Sequence, residues 1–457
     1  MKLAIVIAVC KFLRWLGGLL GKGSSLPGQI ALKLDPQILS KVRLPERIVA
    51  VTGSNGKTST VEMIARILTQ RGEKVAWNRE GSNQIEGVAT LVLCDCDFKG
   101  NMHSDLLLLE SDERFARYTF RHFQPTHYVI TNLYRDQLTR NGHPEWVYAA
   151  IEESIAEGTQ LILNADDPLV SCLGEGREQV AWFGVDRLPS STETFSGRYN
   201  DGAFCPRCKN RMEYEYYHFN HIGGYLCPFC GHRRPKADFA VTGYDEEQGV
   251  VTINESYEIP LNLKSMYNVY NILAAFSACS LLGVPGEEIA QSISHYVLHN
   301  GRVVTFRAGD KEGILLTSKH ENSVSYDQSI QFAVRSGGAC TVIIIVDAVS
   351  RKYFTSETSW LWDINFEALG CDAVRRIFLT GKYCYDLAVR FEYSGIPQER
   401  VEVIPSIPEA VEALGQRAEG TIYAITCFSD KDKLLSRVEK VGDGIAAQGE
   451  TEEEKHA

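Results

Sequence analysis

The run Gly53-Ser54-Asn55-Gly56-Lys57-Thr58 follows a short apolar stretch and precedes a segment with helical patterning. Glycines let backbone N–H groups close around phosphate oxygens, and a helix N-terminus favours negative charge. A lysine directly after the second glycine can reach the outer phosphates, and the hydroxyl that follows can ligate Mg²⁺. Neither Lys57 nor Thr58 has a structural reason to stand there, so the run reads as a phosphate loop for a nucleoside triphosphate. The strict loop pattern places glycine at position 51, where this chain has Val51. Glu110 stands directly after the apolar run Leu106 to Leu109, where a carboxylate at the end of a strand can hold magnesium opposite the phosphate loop.

A second chemistry lies further on. Cys205-Pro206-Arg207-Cys208 and Cys227-Pro228-Phe229-Cys230 are two C-x-x-C knuckles, each placing two thiolates on one tight turn. Together Cys205, Cys208, Cys227 and Cys230 make a closed tetrahedral set that suits Zn²⁺ and leaves no catalytic position open. Four buried thiols or a rubredoxin-type iron site are the alternatives.

These residues need a scaffold. A chain of 457 residues exceeds one hydrophobic core. Its 44% hydrophobic and 23% charged residues fit a globular protein rather than a disordered or multi-span membrane chain. A formal net charge of -11 argues against a general nucleic-acid binder. Short apolar runs alternating with helical patterns predict a mostly parallel sheet with crossover helices. Expected strands are Ile48 to Val51, Leu106 to Leu109, Tyr128 to Thr131 and Leu161 to Leu163, then Val342 to Val346, Ile377 to Leu379, Val401 to Ile404 and Ile422 to Ile425. Helical patterns cover Asn268 to Leu282 and Glu287 to Val297, and two α/β domains join near Asn300 to Thr305. Leu3 to Leu20 reads as an amphipathic helix, either packed or resting on a membrane surface. Cysteines scattered without a disulfide framework point to a reducing compartment, the cytoplasm.

With these motifs in order, a resemblance can be stated. Thr52 to Thr58 resembles the T-G-[ST]-N-G-K-[ST] loop of the Mur ligase superfamily, and Ser82-Asn83, Glu110, Thr131-Asn132 with Arg135-Asp136-Gln137, and Asn164-Ala165-Asp166-Asp167-Pro168 resemble its next motifs. Asn268-Val269-Tyr270-Asn271 and Gly301-Arg302 continue the series. With few residues ahead of the loop in this sequence, a uridine-binding domain is not expected there. The four-cysteine ribbon, Leu26-Pro27-Gly28-Gln29-Ile30 and Ser359-Trp360-Leu361-Trp362-Asp363 are similar to the MurT subunits of lipid II isoglutaminyl synthase.

The resemblance implies an α/β fold with a Mur-ligase-type central P-loop domain carrying the zinc ribbon, and a C-terminal Rossmann-like domain. The implied divisions are residues 1–46, a helical segment; 47–300, the ATP-binding domain with the ribbon at 196–235; 301–440, the MurT-type domain; and 441–457, a disordered acidic tail. ATP would be bound by Gly53, Asn55, Gly56, Lys57, Thr58, Asn132, Asn271 and Arg302, with Mg²⁺ on Thr58 and Glu110. Lys57, Glu110 and Glu357 would be the catalytic group. The implied activity is ATP-dependent activation of the D-glutamate α-carboxylate of the lipid II stem peptide for amidation to D-isoglutamine, in peptidoglycan synthesis. By the same resemblance, ammonia would come from a separate GatD-type glutaminase subunit, a division with which the lack of an evident G-x-C-x-G nucleophile turn in this sequence agrees, and the lipid-linked substrate would be met at the inner membrane surface.

Two departures stand out. Glu357 replaces an aspartate two positions before Ser-Trp, which in the family would complete the partner's Cys-His pair, and Lys319-His320-Glu321-Asn322-Ser323-Val324-Ser325 replaces the family's K-N-P-A-G-x-N. The alternatives are a stand-alone amide ligase of the folylpolyglutamate type and a nucleotide-binding scaffold without ligase activity.

Overall fold

The computed structural model describes residues 2–19, 24–79, 81–137, 141–261, 265–294, 296, 303–335, 338–349 and 357–443. Contacts divide the chain into two compact units. One comprises Met1–Tyr134, Asn141–Phe195 and Asp201–Tyr296; the other comprises Arg135–Arg140, Ser196–Asn200 and Val297–Ala457.

The first unit holds β1 (Arg47–Thr52), β2 (Val75–Trp77), β3 (Leu106–Glu110), β4 (His127–Ile130), β5 (Gln160–Asn164), β6 (Val180–Val185), β7 (Glu213–Phe219), β8 (Ile222–Leu226), β9 (Phe239–Asp245), β10 (Val250–Ile253) and β11 (Tyr257–Pro260). Nine of these form one sheet in the order β11-β10-β9-β6-β5-β4-β1-β3-β2. From β2 to β9 every pairing is parallel, while β10 and β11 close the edge antiparallel. The unbroken leucines of β3 are fully buried, as expected of a parallel strand covered on both faces. β1 lies between β3 and β4, so the chain crosses over to opposite sides of β1 and leaves a crevice at its carboxyl end.

Helix Lys57–Gln70 follows β1 and buries Val61, Ile64, Ile67 and Leu68. It packs against helix Met266–Leu281, whose start is capped by Ser265 Oγ accepting from Asn268 N–H. The N-terminal helix Lys2–Leu19 places Val6, Ile7 and Cys10 in the core beside Val88 and Val92. β7 and β8 form a separate antiparallel ribbon, inserted between β6 and β9, which are themselves neighbours in the sheet.

The second unit holds β12 (Val303–Ala308), β13 (Lys311–Ser318), β14 (Cys340–Ile345), β15 (Val374–Thr380), β16 (Val401–Ile404), β17 (Thr421–Cys427) and β18 (Glu439–Asp443), ordered β16-β15-β14-β17-β13-β12-β18. β12 is antiparallel to both neighbours and the rest are parallel. Helix Gly286–Ser294 ends before the Val297 boundary drawn from sequence. The expected tail also begins differently, because Val441 to Asp443 belong to β18, paired with β12. Glu439-Lys440-Val441-Gly442-Asp443 carries little apolar patterning, so its strand is a backbone ladder on an open edge rather than a hydrophobic signal. The rest of that segment, 444–457, lies outside the described residues.

Candidate functional site

The phosphate loop sits at the carboxyl end of β1, in the crevice left by the crossover. Gly53 and Gly56 have φ of 131° and 88°, a region L side chains rarely adopt. A Cβ on Gly53 would stand 2.2 Å from Thr131 Oγ1, and one on Gly56 would stand 2.1 Å from Asn271 Oδ1. Both glycines are therefore fixed by backbone angle and by crowding. Asn132 clamps the loop: Asn55 N–H donates to its Oδ1 at 2.8 Å, and its Nδ2 donates back to Asn55 O at 3.1 Å. Thr131 Oγ1 donates to the same Asn55 carbonyl at 2.7 Å. Ser54 N–H reaches Asn132 O at 2.9 Å, tying the loop to the end of β4.

The metal-type donors meet at the next strand. Thr58 Oγ1 donates to Glu110 Oε2 at 2.8 Å, and Asn83 Nδ2 donates to Glu110 Oε1 at 3.3 Å. The Glu110 backbone is gripped at both polar atoms by Asn78, at 2.8 Å each. A buried carboxylate beside a hydroxyl, on a held backbone, is an oxygen set that fits Mg²⁺. Lys57 is buried and donates to Gly53 O and to the carboxylate of Glu113, which is buried as well. Glu113 is the residue sequence reasoning missed. Its only signal is its place in the acidic run after β3, Glu110-Ser111-Asp112-Glu113.

Thus Gly53, Asn55, Gly56, Lys57, Thr58, Glu110, Asn132 and Asn271 converge in the first unit. Gly301 and Arg302, expected at the nucleotide, lie outside the described residues.

The four ribbon cysteines also converge. Cys205 Sγ lies 3.6 Å from Cys230 Sγ, and Cys208 Sγ lies 3.5 Å from Cys227 Sγ. A tetrahedron of thiolates at zinc bond length has edges of ~3.8 Å, so the set fits a metal ion. Asn210 donates to Cys208 Sγ and, with its backbone, draws that thiol down to about 6, towards the thiolate a metal requires. None of the thirteen cysteines is in a disulfide. The ribbon is anchored to the phosphate-loop unit by Tyr225, whose OH donates to Ser171 Oγ at 2.6 Å and Ala165 O at 3.1 Å. Beside it, Asp166 accepts from Arg234 Nε at 2.6 Å, Val185 N–H at 2.6 Å and Tyr270 OH at 2.5 Å.

In the second unit a cluster gathers at the ends of β14 and β17. Asp430 is fully buried and accepts from the N–H groups of Asp347 and Ala348, both at 2.9 Å. Lys433 bridges Asp430 and Asp347. Burial would raise the Asp347 carboxyl, but Lys433 and the Lys382 N–H outweigh it and hold the group below the usual carboxylate range. The altered segment is tied to the family-type acid: Asn322 Nδ2 donates to Asp136 Oδ1 at 2.8 Å, and Lys319 lies 3.7 Å from Asp136 Oδ2. Glu357 stands apart from this cluster in character. It is exposed, and its Oε1 accepts from Ser359 N–H at 2.8 Å at the head of the turn Ser359–Asp363. Hydrogen bonds from Ser359 lower its pKa.

Residues 51–192 match the Mur ligase middle domain family, and residues 320–430 match the MurT ligase C-terminal family. Among curated relatives, the lipid II isoglutaminyl synthase (glutamine-hydrolyzing) subunit MurT of Streptococcus pneumoniae is 30% identical over 418 residues, covering 90% of this chain and 91% of that one. The subunit of the same name from Staphylococcus aureus strain COL is 28% identical over 377 residues, covering 82% and 84%. Among solved structures, a pseudomurein peptide ligase type C from Methanothermus fervidus superposes with a TM-score of 0.69 at 21% identity, covering 87% of this chain and 80% of its own.

Proposed function

Because this chain belongs to the MurT family of Mur ligases, we propose that it is the ATP-dependent subunit of a lipid II isoglutaminyl synthase, acting in peptidoglycan synthesis. The observation that carries the reading is the meeting of Thr58 and Glu110 beside a glycine cradle, in a chain whose likeness to MurT runs through both units. The loop N–H groups and Lys57 would hold the phosphates, while Thr58 and Glu110 would hold Mg²⁺, which supplies charge neutralisation for phosphoryl transfer. A D-glutamate α-carboxylate oxygen takes the γ-phosphoryl group and ADP leaves. Ammonia then attacks the acyl carbon and inorganic phosphate departs, leaving the amide. Asn132 and Asn271 set the shape of the loop, and Arg302 is assigned to the nucleotide from its motif. The ammonia would come from glutamine hydrolysed on a GatD-type partner, with Glu357 facing that partner's histidine. The four-cysteine cluster would hold Zn²⁺ as a folding element, and the cytoplasm, reducing and ATP-rich, would be the compartment. The test is ADP release by the chain and a GatD-type partner, with MgATP and a stem peptide ending in a free D-glutamate α-carboxylate. Acceptor-dependent ADP and a D-isoglutamine product are expected; ADP release indifferent to the acceptor would overturn the assignment.

A further inference from the structure

Helix Lys2–Leu19 has the wrong surface for water. One face is packed, with Val6, Ile7 and Cys10 buried. The opposite stripe, Ile5, Ala8, Phe12, Trp15, Leu16 and Leu19, follows helical spacing and is exposed, Trp15 by 63% and Leu19 by 68%. A helix that is apolar on both faces needs covering on both. Phe98, 60% exposed, extends the patch alongside Lys11, whose ammonium lies 5.7 Å from its ring centroid.

Charge says what the cover is. The helix carries Lys2, Lys11 and Arg14 and no acidic residue, in a chain of net charge -11. Among the described residues no helix is long and apolar enough to cross a membrane, so this one would lie in the plane of a surface. Basic residues flanking an aromatic and aliphatic stripe match an anionic lipid surface, with the rings at headgroup depth. A cavity of about 370 Å³ reaches the helix at Arg14, which lines it together with Trp77, Asn78 and Arg79. Asn78 is also the residue that grips the backbone of Glu110. Asn78 thus lines the cavity that Arg14 of the helix reaches and also holds the strand end that carries Glu110.

We infer that helix Lys2–Leu19 is an interfacial element that seats the first unit on an anionic phospholipid surface. The inference deepens the reading above, since it explains how a ligase of this kind reaches a carboxylate carried on a lipid-linked precursor. The full chain is floated with phosphatidylglycerol vesicles and with phosphatidylcholine vesicles, beside the variant Phe12→Glu/Trp15→Glu. Native protein should partition to the anionic vesicles about tenfold or more over the zwitterionic ones, and the double variant should lose that partition. Trp15→Phe serves as a second variant that keeps the stripe apolar: it should still float, but without the blue shift of tryptophan emission. Circular dichroism and nucleotide binding check that the double variant is folded. Equal flotation of native and doubly charged protein overturns the inference. So does native protein that ignores anionic vesicles and instead dimerises through Phe12 and Trp15 in gel filtration. The vesicle readout needs no turnover, so absent amidation of a lipid-free stem peptide would count against the proposed function and leave this result intact.

Discussion

Both sheets of this chain collect polar residues at the carboxyl ends of parallel strands, but the two collections differ in what they leave available. At the ends of β1, β3 and β4 the groups gather round a glycine loop: glycines that a side chain would crowd, a hydroxyl against a carboxylate, an asparagine clamping the loop backbone. At the ends of β14 and β17 the charges answer one another, with Asp430 taking two backbone N–H groups and Lys433 set between two carboxylates. The first arrangement has the stereochemistry of a binding site. The second has that of a structural knot, with the exposed carboxylate of Glu357 outside it. The contrast teaches that strand-end position alone does not define a site; a glycine loop with positive-φ backbone beside a hydroxyl and a carboxylate does.

The largest effect that could break this contrast is loss of Lys57. Lys57→Ala should lower ATP turnover by about 10²-fold or more, because it removes the cation proposed to meet the developing phosphate charge. It also takes the buried ion-pair partner Lys57 away from Glu113, and breaking a buried pair by removing one member costs ~3–5 kcal/mol. Lys57→Ala with Glu113→Gln should regain melting temperature without regaining turnover. Full turnover in either variant would mean that the loop is not the phosphate site.

Metal removal sharpens the comparison within the first unit. The cluster round the ribbon cysteines is small, Cys205, Met212, Tyr225 and Cys227 with Cys208 and Tyr214 packed against them, too little to fold on hydrophobic burial alone. A bound structural zinc can supply on the order of 10 kcal/mol, so Cys227→Ser should open residues 196–235 to protease and drop one metal per chain by elemental analysis. The phosphate loop draws its support from Thr131, Asn132 and Asn271, and should keep its nucleotide affinity.

Legibility in the sequence follows the same division. The phosphate loop, Glu110 and the paired cysteines could be read because glycine, lysine and C-x-x-C at those spacings have few structural uses. The strands of both sheets were legible where they are buried on both faces, as Leu106 to Leu109 are. Glu113 was not, because its role is set by a lysine fifty-six positions away and no local pattern encodes that pairing. Nor was β18, whose reason is the open edge of β12. The Asp347, Asp430 and Lys433 cluster was hidden too, since its members become partners only when β14 and β17 lie side by side.

Glu357 tests the second unit. It is an exposed carboxylate that caps its own turn through Oε1, and the proposed function sets it against a partner's histidine. Glu357→Gln should depress glutamine-dependent amidation on the order of tenfold or more, while ammonium-dependent amidation survives. Glu357→Asp should keep both. If the ratio of the two rates does not move in Glu357→Gln, the carboxylate is only the cap of its turn, and Asp347 or Asp363 becomes the next candidate.

The smallest effect concerns stability and lies wholly inside the second unit. Asp327, on helix Ser323–Arg335, is pushed up to about 7 by burial, reinforced by the nearby Glu367 and Asp363 carboxylates against the pull of Asn365 N–H and Arg390. Unfolded, the same group ionises near its ordinary value of about 4. Between those two values the folded chain holds a proton that the unfolded chain has released, so this group's contribution to stability falls as pH rises from about 4 and levels off above about 7. This runs opposite to the paired Asp347, whose lowered pKa makes stability fall as pH falls. Asp327→Asn keeps an oxygen for the Asn365 N–H, 2.7 Å away, and removes the proton. Denaturant midpoints taken from pH 5 to pH 8 should decline in the native chain relative to the variant, with the curves closest at the acid end. Parallel curves would mean that Asp327 titrates as an ordinary solvated carboxylate, and that the charges of the second unit are less closed upon themselves than their geometry indicates.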